Sequence, residues 1–142
     1  MVVGSGGGVM IEPGKPIRRV MSVGAVAVDE KLTLRSVAAV LAEMDIGVVV
    51  VARPDGSAAI VSERDVVRAL AQGAEPDEVW AADVMTESVV IADPDESVID
   101  VAARMGDERV RHVAVVDKGA IVGVVSARDV LDVLVEYVRA NM

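Results

Sequence analysis

The phrase Ser-Glu-Arg-Asp-Val-Val at Ser62–Val67 returns as Ser-Ala-Arg-Asp-Val-Leu at Ser126–Leu131. The two lie 64 positions apart, and the same offset lays Val20–Leu70 over Val84–Leu134 without a gap. Val20-Met21-Ser22 falls on Val84-Met85-Thr86, Asp29 on Asp93, Val37-Ala38-Ala39 on Val101-Ala102-Ala103, and Val49 on Val113. A repeat of this kind constrains the architecture before any single element does, because both copies must satisfy one packing scheme.

Each copy reads as strand, helix, strand, strand, helix. A short apolar stretch (Ala25–Val28; Val89–Ala92) precedes a helix capped near Thr33 or Ser97. Leu34, Val37, Ala38 and Leu41 keep the spacing of one helical face, as do Val98, Val101, Ala102 and Met105. Strands at Val48–Ala52 and His112–Val116 lead into turns at Pro54-Asp55-Gly56 and Lys118-Gly119. Second strands follow at Ala58–Ser62 and Ile121–Ser126, and then closing helices at Glu63–Gln72 and from Ala127 to about Arg139. Between the copies, Pro76 is expected to open a short helical turn that carries Trp80. The domain reading is a flexible, Gly-rich segment over 1–16, a first motif over 17–73, a connecting segment over 74–83 and a second motif over 84–142.

Composition narrows the function classes. The apolar share is 53%, with no Phe, one Trp and one Tyr, so the core is aliphatic and β-branched and suits strands packed on helices. A net charge of −9 argues against a nucleic-acid partner, which needs a basic face. The apolar run Ile46–Ala52 is far shorter than the roughly 20 residues of a membrane span. With no Cys and a single His, there is no thiolate site and no histidine pair for a metal. No nucleophile stands beside an evident base. The expectation is a cytoplasmic protein that is not an enzyme and holds no cofactor.

The doubled phrase has two readings. Ser-x-x-Asp before an apolar run is a capping box, with the Ser oxygen accepting from the third amide and the acid accepting from the Ser amide. The Arg inside it, Arg64 or Arg128, is a poor choice for stability alone, since it faces the positive end of the helix dipole. It makes chemical sense beside an anion at a helix start, where an Arg adds charge-assisted donors.

The span Ile17–Tyr137 resembles a tandem pair of CBS domains of the cystathionine β-synthase type, a Bateman module. The resemblance rests on VMS and VMT at Val20–Ser22 and Val84–Thr86, Asp93–Met105, Val110–Asp117 and Ile121–Asp129. The first copy is looser: Ala59 stands where the second has Gly123, and Gly47-Val48 where it has Arg111-His112. The resemblance implies an α/β fold of the α+β type, two βαββα motifs packed about a pseudo-twofold axis with clefts between them. It implies adenosine-containing ligands such as AMP, ADP, ATP or S-adenosylmethionine, and a homodimer. Carried over residue by residue, it nominates Asp65 and Asp129 for the ribose hydroxyls. Ser62, Ser126, Arg64 and Arg128 go to the ribose-phosphate end, with Arg111 and His112 as further phosphate donors. Ala25, Val26, Ala27, Val89, Val90, Ile91 and Val113 would line the base. His112 also has an ordinary reading as a hydrogen-bonded residue at a strand start. The second copy's Arg111, His112 and Gly123 are expected to make its cleft the tighter one, the glycine by letting a ligand approach the strand. The alternative function is a structural dimerisation module without a specific ligand.

Overall fold

The structure, a computed structural model, describes residues 11–23, 26–55, 57 and 59–142. The expectations for Ala25, Gly56, Ala58 and most of the 1–16 segment lie outside them. A 3-10 turn at Ile17–Arg19 precedes β1 (Ser22–Val23). The first copy follows as β2 (Ala27–Asp29), α1 (Leu34–Met44), β3 (Val48–Ala52), β4 (Ile60–Ser62) and α2 (Glu63–Ala71). A one-turn helix α3 (Ala81–Val84) leads to the second copy: β5 (Ile91–Ala92), α4 (Val98–Glu108), β6 (His112–Asp117), β7 (Ala120–Ser126) and α5 (Ala127–Ala140).

Local chemistry explains the boundaries. The Thr33 and Ser97 hydroxyls accept from Ser36 N and Asp100 N at the starts of α1 and α4. Both helices stop on a residue in the left-handed region, Asp45 (φ 52) and Arg109 (φ 56), which are repeat equivalents. Lys118 (φ 50) and Gly119 (φ 81) form the two-residue hairpin between β6 and β7, where both central residues need positive φ. The segment after Pro76 differs from expectation. Residues 76–78 form a single turn closed by Glu78 N and Val79 N on Glu75 O, and Trp80 lies beyond it as the residue that starts α3.

The chain divides into two compact units, and their composition could not be read from the sequence. One contains 25–89; the other joins 11–23 to Val90–Met142. Each copy's lead-in therefore belongs to the unit built by the other copy. In one unit β2 pairs parallel with β3, and β3 antiparallel with β4. In the other, β5 pairs parallel with β6, and β6 antiparallel with β7, while β1 adds to the far edge of β7 through Ser22↔Val124. The equivalent contact in the first unit is the bridge Ile60↔Thr86, with the same register offset by one repeat.

Each unit has its own core, and the cores correspond. Val28, Leu34, Val37, Leu41, Val49, Val51, Val61, Val66 and Ala69 cluster in one. Ala92, Val98, Val101, Met105, Val113, Val115, Val125, Val130 and Val133, their equivalents, cluster in the other. The exchanged lead-ins contribute the equivalent pair Ala81 and Ile17, both fully buried. Among the described residues no helix is long and apolar enough to cross a membrane.

Candidate functional site

Within each unit the strand core residues turn toward the helices, so the alternate residues line the opposite sheet face. In the second unit, cross-strand partners put Ile91, Ala114, Val124 and Ser22 in one row on that face. His112 and Ser126 face each other one pleat away, where β7 turns into α5. The first unit repeats the arrangement with Ala27, Val50, Ile60 and Thr86, then Val48 opposite Ser62. An apolar row ends beside a helix N-terminus in both.

Both phrases are capping boxes. Asp129 N donates to Ser126 Oγ at 3.1 Å, and Ser126 N donates to Asp129 Oδ2 at 3.0 Å. Asp65 N donates to Ser62 Oγ at 3.1 Å, and Ser62 N donates to Asp65 Oδ2 at 2.9 Å. The first residue of each helix ties equivalently to the residue just ahead of the neighbouring strand, Ala127 N donating to Arg111 O at 2.7 Å and Glu63 N to Gly47 O at 3.0 Å. The cap does not exclude a ligand. It takes one oxygen, Oδ2, of the half-buried Asp129 carboxylate. An acid held this way is oriented before any ligand arrives. Arg64, Arg111 and Arg128 are exposed, and none joins the ion pairs among the described residues, which use Arg18, Arg35, Arg53 and Arg104.

The nominated base-lining residues separate. Ile91 is 50% exposed on the face described above, beside the buried Ala114. Ala27, its repeat equivalent, is also exposed. Val26 and Val90 are half-buried against their unit's core, and Val89 belongs to the unit of the first copy. Val113 requires a correction. It is fully buried among Val101, Val115 and Val125, because the strand's alternation turns it toward the helices; Ala114 faces the other way. Sequence reasoning passed over Ser22 and Thr86 as site residues. A hydroxyl at both positions of the repeated Val-Met-Ser/Thr was the available signal.

Gly123 also has a different use from the one expected. A Cβ there would lie 2.6 Å from Met21 Sδ and 3.0 Å from Ser22 O. The close approach is made by the chain's own lead-in, paired as β1, and not left to a ligand. Ala59 stands fully buried at the equivalent position, where the lead-in pairs through the single Ile60↔Thr86 bridge in place of a two-residue strand. Gly123→Ala is expected to cost about 1–3 kcal/mol in chemical denaturation, as overpacked sites do. Adding Met21→Ala should recover part of that loss. A Gly123→Ala protein as stable as the wild type would show that the contact relaxes freely.

A sequence profile of the CBS domain matches residues 17–72 and 81–136. The chain belongs to the CBS domain family, as a tandem pair. It is 35% identical over 124 residues to an uncharacterised protein of Methanopyrus kandleri, a match covering 81% of this chain; the chain spans 63% of that relative's length. It is 29% identical over 122 residues to Hypoxic response protein 1 of Mycobacterium tuberculosis, covering 84% of this chain and 85% of that one. The fold matches the CBS domain pair of protein MJ0100, solved in complex with 5′-methylthioadenosine and S-adenosyl-L-methionine. That match has a TM-score of 0.79 at 24% identity, covering 88% of this chain and 99% of the other. CBS tandem pairs are regulatory modules.

Proposed function

We propose that this CBS pair is a ligand-sensing regulatory module that binds an adenosine-containing nucleotide, with Asp129 at the start of α5 as its principal ribose contact. The observation that carries this is the pairing of an oriented carboxylate with Arg128 and Arg111, both exposed and without an acidic partner among the described residues. A carboxylate accepts from two vicinal ribose hydroxyls at once. Arginine and the first-turn amides supply donors for phosphate. The exposed Ile91 offers an apolar platform for the base. The adenosyl ligands of the MJ0100 pair support the same ligand class.

Arg128→Ala tests the reading. As a phosphate ligand, its loss should weaken AMP roughly ten- to a hundredfold, the worth of a charge-assisted contact, while adenosine changes by less than about threefold. Stability should stay level or rise slightly, because a first-turn Arg opposes the helix dipole. Equal weakening of AMP and adenosine, or of neither, would remove Arg128 from the site.

A second reading, self-association, is favoured by a separate surface. Leu131, Val135 and Val138 run along α5 exposed at 58%, 40% and 57%, beside a groove lined by Ala102, Met105 and Leu134. Such a stripe suits burial against a second copy of this chain. Sedimentation equilibrium across a concentration series reports it directly, and a monomer throughout would set it aside.

A further inference from the structure

The two repeat carboxylates are not equally available, and the difference lies in one hydroxyl. Asp65 is 9% exposed, and Thr86 Oγ1 donates to both its oxygens, at 3.3 Å to Oδ1 and 3.3 Å to Oδ2. Ser62 N adds a bond to Oδ2 at 2.9 Å. Both oxygens of Asp65 are therefore already accepting. The equivalent of Thr86 is Ser22, whose backbone holds the same register against Val124 that Thr86 holds against Ile60. Ser22 is nevertheless exposed, and among the described residues it makes no bond to Asp129. The physical distinction is the β-methyl: threonine is restricted at χ1, whereas a serine hydroxyl on the same backbone rotates more freely toward water. The surroundings diverge in the same sense. Gly47 and Val48 in the first copy offer no counterpart to the charge and polarity of Arg111 and His112.

We infer that Thr86 locks the Asp65 carboxylate, so that this CBS pair takes one adenosyl nucleotide per chain, at Asp129, and holds the Asp65 site closed. The inference rests on the nucleotide reading above and adds to it a residue that sets the stoichiometry. A ligand reaching Asp65 must first displace the Thr86 hydroxyl from a carboxylate with little access to water, and an unpaired acid there is disfavoured.

The test is calorimetric titration of AMP, with S-adenosylmethionine as a second probe, into the full chain. Wild type should bind one equivalent. Asp65→Asn, which keeps an acceptor for the cap, should bind that equivalent with affinity within about twofold of wild type. Thr86→Val, which keeps the volume and removes the donor, should bind a second equivalent, and Thr86→Val with Asp65→Asn should return to one. Two equivalents in wild type, or a fivefold or larger loss of affinity in Asp65→Asn, would overturn the lock and leave the nucleotide reading standing. A folded Thr86→Val protein that still binds one equivalent would do the same. Should Thr86→Val fail to fold, the Asp65→Asn comparison decides the matter alone. No binding by wild type would overturn both.

Discussion

Asp129→Asn lowers the affinity for AMP roughly ten- to a hundredfold while changing stability by no more than about 1 kcal/mol. The two parts of this expectation come from two functions of one side chain. As a cap, Asp129 contributes one hydrogen bond to Ser126 N through Oδ2, and an Asn carbonyl can accept in its place. The loss is then the charge at the positive end of the α5 dipole, a modest term. As a ribose ligand, Asp129 contributes an ionised acceptor to two hydroxyls, and hydrogen bonds to charged groups contribute about 1.5–3 kcal/mol each. An amide keeps one weaker acceptor and presents donors that clash with ribose donors. Calorimetry and denaturation on the same variant separate the two. A protein that loses stability but binds normally would mean that the repeated phrase is a cap used twice and nothing more.

Ile17→Ala is expected to cost about 2–5 kcal/mol, the range for emptying a buried aliphatic site. That is a large part of the stability of an ordinary domain and corresponds to a fall of roughly 10 °C in melting temperature. Ile17 is fully buried in the core of the second unit although it precedes the first copy in sequence. Its amide donates to Glu96 O at 2.7 Å, and Arg18 N donates to Pro94 O at 3.1 Å, so the lead-in is anchored at its backbone as well. The exchange of lead-ins makes the effect specific. The loss should appear as faster hydrogen exchange in β6 and β7 ahead of β3 and β4. A cost below about 1 kcal/mol would contradict the placement of Ile17 in that core.

The limits of sequence reading show at particular residues. The 64-residue offset made both cores legible, because Val37 and Val101, or Val49 and Val113, satisfy one packing scheme in two places. It could not show which unit a lead-in joins, since Ile17 and Ala81 match each other whether or not they are exchanged. Helix starts were legible from their hydroxyl and acid residues, because capping is a local event. Val113 was nominated for a ligand because a continuously apolar strand does not declare its faces; the pairing of β6 with β5 and β7 decides them. Gly123 was legible as a close approach, but the approaching group, Met21, sits about a hundred residues away in the chain. The Thr86–Asp65 bond is likewise a tertiary contact that no spacing rule records.

The most direct test of the site at Asp129 is a melt of the wild-type chain against AMP, ADP, ATP, S-adenosylmethionine and 5′-methylthioadenosine, with guanosine nucleotides beside them. A ligand at about 100 times its dissociation constant stabilises the folded state by about 2.7 kcal/mol, which raises the melting temperature by several degrees. At least one adenosyl compound should produce that rise, with the guanosine nucleotides well below it. No shift with any adenosyl compound at millimolar concentration would contradict a nucleotide site at Asp129.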